Sequence, residues 1–263
     1  MKKGIPQEGL KLIGCLSMLI DHIGYCIVYR LYLQSAALHG FETMGEMMPD
    51  PVLRWYLLYR GRRIVGWLAL PIFAFLLVEG VHHTRDRKKY ALRLAVCAVL
   101  SEIPYNLVVS GELFWREQSI MLTLLLGFGA VVAMEKCRTL AWKPVALLPF
   151  ALAAELLTVD YGWAGVVLIA LFDLSRYVYR KNLMRTCGMI VLFHYMSGTV
   201  FQIGGMALPM QVLGALSMLF IANYDGRKIT RSKAVQWAFY LFYPIHLLVL
   251  WLVSGMIPAG YSL

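Results

Sequence analysis

Apolar runs, several of them about 20 residues long, recur along the whole chain and are separated by short polar segments. A helix rises 1.5 Å per residue, so about 20 residues are enough to cross a hydrocarbon core ~30 Å thick. With 60% hydrophobic and 15% charged residues, the chain is too apolar for a soluble globular protein. We therefore predict an all-α fold, a polytopic membrane helical bundle that forms a single integral membrane domain over residues 1–263.

These runs predict nine transmembrane helices, at 10–33, 64–80, 90–109, 119–134, 144–159, 161–178, 186–203, 206–222 and 234–254. Nineteen of the 25 Lys and Arg residues then lie on one side. Because cytoplasmic loops carry an excess of Lys and Arg, we predict that the N-terminus is cytoplasmic and the C-terminus outside, in the bacterial plasma (inner) membrane. This placement accounts for the formal net charge of +10 without a nucleic-acid partner.

The outer loop at 34–63 is long and contains an interfacial segment, PVLRWYLLYRGRR, which mixes apolar, aromatic and Arg residues. One interpretation is an aromatic belt at the membrane boundary with its Arg side chains reaching toward water. The other is a lid or an outer substrate surface. The belt is the simpler interpretation, because such belts are common.

Four titratable residues lie at one depth in their predicted helices: His22, Glu102, Glu155 and His246 are each eleven or twelve residues from the inner boundary. At 1.5 Å per residue this depth is roughly 17 Å. Charged side chains in the hydrocarbon are costly and are usually functional. We predict a polar centre near mid-membrane, although hydrogen bonds that only pack helices together are the alternative.

Lys11 and His22 lie eleven residues apart, close to three helical turns, so they share one helix face at a separation of about 16 Å. This spacing suits a long ligand with an anionic head at the cytoplasmic surface and a reactive end in the membrane, and a pantetheine arm has a comparable length. Asp21 points about 100° away from His22, so it is free to face another helix.

The predicted inner loop HHTRDRKKYALR, His82 to Arg93, is strongly basic. It serves either as a topology anchor or as a phosphate-binding element. Glu79 lies near the inner end of the second predicted helix, where structural and functional roles are both open. The five cysteines are odd in number and show no CxxC spacing, so we predict neither disulfides nor a metal site.

Several blocks together resemble the TraX family, named for the conjugative pilin acetylation protein. They are GLKLIGCLSMLIDHIGY, WLALPIFAFLLVEGVHHTRDRKKYALRL, SEIPYNL, DYGWAGVVLIALF and FYLFYPIHLLVL. The resemblance runs from about Gly9 to Leu250 and implies an integral membrane acyltransferase. More distant relatives are the bacterial sugar O-acyltransferases of the inner membrane and heparan glucosaminide N-acetyltransferase.

In those relatives a His on the first helix is catalytic, and a polar residue eleven positions earlier, often Arg, completes the motif. His22 and Lys11 match these positions. Lys in place of Arg replaces a planar bidentate group with a point charge. The Phe-Phe-x-x-Ser-Gly block of the O-acyltransferases is absent, which weakens any transfer of their sugar specificity.

The resemblance and the polar residues together predict an acyltransferase that moves an acetyl or other acyl group from cytoplasmic acyl-CoA to an amine or hydroxyl acceptor. The acceptor is a peptide, glycan or lipid at the membrane or outer side. His22 is the predicted general base, oriented by Asp21, Glu102 or His246. The predicted acyl-CoA ligands are Lys11, Arg85, Lys89, Arg93 and Glu79. The alternatives are a proton- or ion-coupled transporter and a scaffold subunit without chemistry.

Overall fold

The computed structural model describes residues 4–41, 47–195, 200–203, 206–230 and 232–257. Within these ranges the chain forms α-helices and one short β-hairpin. The helices are α1 (Gln7–Ile23), α2 (Tyr29–Leu38), α3 (Asp50–Gly66), α4 (Ala69–His83), α5 (Arg87–Val109), α6 (Ile120–Glu135), α7 (Lys143–Leu156), α8 (Gly162–Leu174), α9 (Lys181–His194), α10 (Met218–Ile221) and α11 (Lys233–Gly255). A π-helical turn, Gly24–Val28, joins α1 to α2. Three 3₁₀ segments span Leu140–Trp142, Ser175–Tyr177 and Met210–Ser217.

Helix α4 forms the centre of the bundle. Its sequence is apolar on every side, which is typical of a helix buried all round, and Ile72, Ala74 and Val81 are fully buried. It packs against α1, α6 and α8. Pro71 lies in its first turn, where its missing N–H costs little, and the chain passes almost directly from α3 into α4.

Among the described residues, four helical stretches are long and apolar enough to cross a membrane: Gln7–Leu38, Asp50–His83, Arg87–Val109 and Lys233–Gly255. The predicted helical fold is therefore present, but the prediction of nine full-length spans is supported only at these four places. The other helices have 16 residues or fewer. At 1.5 Å per residue their lengths fall below ~30 Å.

The seventh and eighth predicted spans, 186–203 and 206–222, differ most from the structure. Helix α9 ends at His194. Strands β1 (Val200–Ile203) and β2 (Met206–Pro209) pair antiparallel as a hairpin, and a 3₁₀ segment follows. Gly204 and Gly205 separate the two strands in the sequence, and glycine weakens a helix while it favours a tight turn. These segments are apolar, as predicted. The prediction of membrane helices is wrong where residues 200–203 and 206–209 form strands.

The predicted interfacial segment is helical and forms α3. Its tyrosines pack against those of α2 with tilted rings: Tyr29 lies 5.0 Å from Tyr59 and Tyr32 lies 5.9 Å from Tyr56, measured between ring centroids. Residues 42–46 of the predicted outer loop lie outside the described residues. Whether α3 acts as a belt or as a lid stays a prediction.

An ion-pair network joins five helices at the ends that were predicted to be cytoplasmic. His82 Nε2 lies 2.7 Å from an Asp173 carboxylate oxygen, and His82 Nδ1 lies 3.0 Å from one of Glu135. Arg87 also contacts Glu135, at 2.5 Å, and Lys143 lies 3.7 Å from the fully buried Asp173. Because both His82 nitrogens face carboxylate oxygens, both act as donors when the ring is protonated. The network therefore holds α4, α5, α6, α7 and α8 together.

Candidate functional site

Two histidines from opposite ends of the sequence meet inside the bundle. His22 Nδ1 on α1 lies 2.7 Å from His246 Nε2 on α11, and the two rings stack with centroids 5.0 Å apart. The other face of His246 stacks on Phe242 at 4.7 Å. The predicted mid-membrane centre therefore contains a histidine pair.

Backbone geometry fixes the proton positions in this pair. His246 Nδ1 lies 2.7 Å from the Phe242 carbonyl oxygen, which can only accept, so Nδ1 carries the proton. In neutral His246 the Nε2 atom is then an acceptor, and His22 Nδ1 donates to it. The neutral His22 ring is left with its lone pair on Nε2, which is the form required of a general base.

Pro244 helps to shape α11 beside this pair. Proline has no N–H to donate to the carbonyl four residues earlier, which is that of Tyr240. The Cys97 thiol of α5 donates to this oxygen instead, at 3.1 Å. The proline is thus accommodated by a contact between α5 and α11, and α11 continues past His246.

Asp21 does not contact His22 but pairs with α3. Its two carboxylate oxygens lie 2.8 Å from Arg62 and 3.2 Å from Arg63, and its backbone carbonyl accepts a further bond from Arg62. The position of Asp21 on the helix, turned away from His22, left it free to face another helix. The structure identifies its partners as Arg62 and Arg63 on α3.

Two glycines make room for this ion pair. A Cβ atom on Gly24 would lie 1.4 Å from Arg62 Cδ, and one on Gly66 would lie 2.4 Å from Asp21 Cγ. Gly24 also opens the π-helical turn directly after His22. Such π-helical insertions in α-helices are frequent at functional sites.

The two glutamates of the predicted polar layer do not reach the histidines. Glu102 accepts from the Ser119 hydroxyl at 2.7 Å and from the Ser119 backbone N–H at 3.2 Å, so it anchors the start of α6. Glu155 is exposed on α7. The predicted depth sets the height of a residue along its helix but not the direction in which its side chain points.

A cavity of about 910 Å³ runs from the histidine pair to the basic end of the molecule. Lys11, Arg85, Arg93 and Lys228 line one end, and His22, Asp21, Arg63, Asp160 and Tyr161 line the other. Leu76, Leu77, Leu94 and Leu124 belong to its apolar walls. The size lies within the usual range of small-molecule sites, ~300–1,000 Å³.

Four of the five predicted acyl-CoA ligands line this cavity: Lys11, Arg85, Arg93 and Glu79. Lys11 Nζ lies 5.2 Å from the centroid of the Phe239 ring, and the Arg93 guanidinium lies 5.8 Å from Tyr90 and 5.9 Å from Tyr240. Glu79 forms an ion pair with Arg176.

Lys89 differs from the other four, because it is exposed and pairs with Asp86 at 3.1 Å away from the cavity lining. Asp86 caps α5 by accepting the Lys89 backbone N–H, and this bond lowers the pKa of Asp86. The predicted role of Lys89 as a cavity ligand is therefore not supported: its position in the first turn of α5 directs it to the cap.

Five residues at this site were not predicted from the sequence: Arg62, Arg63, Asp160, Tyr161 and Lys228. Asp160 and Tyr161 lie in a loop where Thr158 and Tyr161 have φ of 49° and 62°, a backbone region that non-glycine residues rarely occupy and that is often found at functional sites. Gln118 accepts from the Asp160 N–H at 2.9 Å, and Gln118 is next to Ser119, which Glu102 anchors. Through these hydrogen bonds Glu102 helps to position the loop that carries Asp160 and Tyr161, which line the cavity.

The comparisons with known proteins identify the family of this chain. The family model described as "TraX protein" matches residues 6–254. The chain is also 31% identical, over 210 residues, to the "Probable fimbrial assembly protein FimC, serogroup H1" of Dichelobacter nodosus. That alignment covers 73% of this chain and 82% of the relative. No solved structure matches the chain. With a match that extends over nearly its whole length, this chain belongs to the TraX protein family.

Proposed function

We propose that this protein is a membrane-embedded acyltransferase that moves an acetyl or other acyl group from cytoplasmic acyl-CoA to an amine or hydroxyl acceptor. The observation that carries the proposal is the single cavity that joins a basic end to the His22–His246 pair. The phosphates of acyl-CoA match the basic end of the cavity. The thioester, at the far end of the long arm of acyl-CoA, matches the histidine pair. The acceptor enters from the membrane or the outer side.

In this mechanism His22 Nε2 removes a proton from the acceptor N–H or O–H as that atom attacks the thioester carbonyl carbon. The tetrahedral intermediate collapses, the carbon–sulfur bond breaks and the CoA thiolate leaves. The proton on His22 passes to the thiolate, so the base is regenerated. His22 Nδ1 keeps its hydrogen bond to His246 throughout, which orients the ring and stabilises its charged form.

The basic end binds the phosphates of acyl-CoA. Arg85 and Arg93 offer planar guanidinium groups that match phosphate oxygens, and Lys11 and Lys228 add point charges. Glu79, which is paired with Arg176, forms part of the wall rather than a phosphate ligand.

The proposal places the chain in the bacterial inner membrane with a cytoplasmic N-terminus. Contacts between the chain start and the segment before α11 support this placement, since Ile5 donates to the Asn223 carbonyl at 2.8 Å and both segments carry predicted inner-loop cations. Nine crossings remain part of the proposal. The four long stretches and five shorter ones, α6, α7, α8, α9 and Met210–Ile221, would make them, the shorter ones through a locally thinned bilayer.

The name of the bacterial relative links that protein to fimbrial assembly. We extend this link to the present chain and propose that its acceptor belongs to the assembly of a surface fibre. A peptide amine, a glycan hydroxyl and a lipid head group all remain chemically suitable acceptors for His22.

The test is acyl-CoA binding and turnover by the detergent-purified full chain. We expect saturable binding of acetyl-CoA and release of CoA thiol, either by transfer or by slow hydrolysis. Lys228→Ala, at the basic end, should weaken binding, whereas the matched control Lys89→Ala should bind as the wild type does. Absence of both binding and turnover would contradict the proposal.

The alternative is a proton- or ion-coupled transporter. The charged cluster of Asp21, Arg63 and Asp160 in the cavity is the observation that favours it, because buried charges also mark ion pathways. A transporter of an unrelated solute would not bind acyl-CoA, so the same binding measurement distinguishes the two functions.

A further inference from the structure

A second, smaller cavity of about 350 Å³ lies beside α4. Glu79 and Tyr224 line both this cavity and the larger one, so they form part of the wall between them. The smaller cavity is also lined by three cationic residues, Arg176, Lys181 and Arg185. Among its described lining residues, Glu79 is the one acidic group, so the cavity carries a net positive charge.

Arg185 is the most informative of these cations because its side chain is buried, with 4% exposure. Its Nε donates to the Ser175 hydroxyl at 2.7 Å and its Nη1 to the Asn182 side-chain oxygen at 3.4 Å. Its guanidinium lies 5.1 Å from the Phe75 ring centroid and 5.5 Å from that of Phe172. All these direct partners are neutral. The carboxylate of Glu79 attracts Arg185 electrostatically, but it is itself ion-paired with Arg176, so two guanidinium groups share one carboxylate. The positive charge left in excess is costly where it is buried. An anion in the cavity would compensate it.

The neighbouring groups favour the same occupant. Arg176 is ion-paired with Glu79 and also lines the cavity. Lys181 is exposed and begins α9, whose first turn has no acidic residue and whose N-cap, Arg180, makes no side-chain capping bond. Free N–H groups at the start of a helix attract phosphate and other anions. Two guanidinium groups, an ammonium and a helix start thus converge on one space.

We propose that this smaller cavity binds a phosphate group, carried by an anionic lipid headgroup or by a free phosphate ester. Guanidinium groups bind phosphate through paired, charge-assisted hydrogen bonds, which explains two Arg side chains at one site. The site is separate from the basic end of the larger cavity, where Lys11, Arg85, Arg93 and Lys228 lie. A phosphate on Arg176 competes with Glu79, so occupancy also changes a residue that lines the larger cavity.

The experiment uses the detergent-purified full chain. Pyrophosphate is titrated while the melting temperature is followed, and co-purification from vesicles of phosphatidylglycerol is compared with that from phosphatidylcholine by native mass spectrometry. Pyrophosphate stabilisation indicates a free phosphate ester, and selective retention of phosphatidylglycerol indicates a lipid. Either result supports a site in the smaller cavity only if the binding is weakened by substitutions there, because the basic end of the larger cavity also offers cations to phosphate.

Two variants locate the binding. Lys181→Ala and Arg185→Gln should each raise the Kd by roughly tenfold, the effect of losing one charged hydrogen bond. Lys181 is exposed, so its variant is informative even if Arg185→Gln fails to fold. The matched control Lys88→Ala, an exposed cation outside both cavities, should bind as the wild type does.

The site is excluded if neither probe binds, or if binding is unchanged in Lys181→Ala. The result does not depend on the proposed acyltransferase function, because no step of the experiment requires turnover. A chain that binds phosphate here but fails to bind acyl-CoA would retain this site and lose that function.

Discussion

His22 and His82 lie in the same bundle but their rings are held in opposite ways. His82 is placed between two carboxylates, those of Asp173 and Glu135, and both of its nitrogens are engaged. His22 has a neutral partner, His246, on one nitrogen, and its ring lines the larger cavity. The first arrangement holds helices together, whereas the second leaves a lone pair for proton transfer.

The comparison shows that a histidine inside the helical bundle is not by itself evidence of chemistry. What distinguishes the two is the partner: two carboxylates engage both nitrogens of His82, whereas the single histidine partner of His22 leaves the Nε2 lone pair of His22 available as a base. Substitutions at the two positions should therefore separate stability from activity.

The largest expected effect on stability is that of His82→Ala. The change removes a hydrogen-bond partner of the fully buried Asp173 and leaves Lys143, at 3.7 Å, as its ion-pair partner. Leaving a buried charged group short of a hydrogen bond costs about 3 kcal/mol. We expect the free energy of unfolding to fall by that amount in denaturant titrations. His83→Ala is the control, because this neighbour is 62% exposed; an equal loss in both variants would mean that the network does not stabilise the fold.

Gly66→Ala should destabilise the contact between α1 and α3 at Asp21. The added Cβ would lie 2.4 Å from Asp21 Cγ, and such overpacking typically costs about 1 to 3 kcal/mol. Gly61→Ala, on the same helix, meets nothing within 4 Å and should be neutral or stabilising, since alanine favours helices. Equal melting temperatures for the two variants would contradict the close approach of α1 and α3.

His246→Phe tests the role of His246 as a positioning residue. The substitution keeps a ring but removes the acceptor for His22 Nδ1, so we expect kcat to fall by roughly 10- to 100-fold with little change in KM. His246→Gln retains an acceptor oxygen and should recover part of the loss. If the two variants are equally active, His246 does not orient His22.

The smallest effect is expected at the basic end of the cavity. Lys11→Ala removes one phosphate contact, so KM for acyl-CoA should rise several-fold with kcat nearly unchanged, because the contact is the same in ground and transition states. The rise should shrink at high salt, because salt screens the attraction between a cation and a phosphate. Lys89→Ala is the control, and a larger effect from it than from Lys11→Ala would reverse the assignment.

The sequence identified the membrane class, the helix positions over most of the chain and the two histidines that meet. Equal depth put His246 among the three predicted partners of His22, and the structure brings these two rings together because α1 and α11 pack with these faces inward. The same reasoning overestimated Glu102 and Glu155, since depth along a helix says nothing about direction. Helix geometry indicated that Asp21 points away from His22, but it did not identify Arg62 and Arg63 as its partners.

Other features depend on contacts that no local pattern records. The approach of Arg62 to Asp21 requires Gly24, in the π-helical turn, and Gly66, at the end of α3. No local sequence pattern around either glycine indicates this contact. The left-handed residues Thr158 and Tyr161 are held by backbone bonds to the segment before α6. The hairpin at 200–209 has an apolar composition that fits a membrane helix equally well, and only its glycines distinguish the two.

The central claim is that His22 is the general base, and the most direct measurement is the acyl-transfer rate of His22→Ala, with acyl-CoA binding and melting temperature measured on the same sample. The matched control is His194→Ala, an exposed histidine on α9. We expect the acyl-transfer rate of His22→Ala to be lower than that of the wild type by roughly 10²- to 10⁴-fold, with acyl-CoA binding and the melting temperature retained. A folded His22→Ala protein that transfers acyl groups at the rate of the wild type would contradict it.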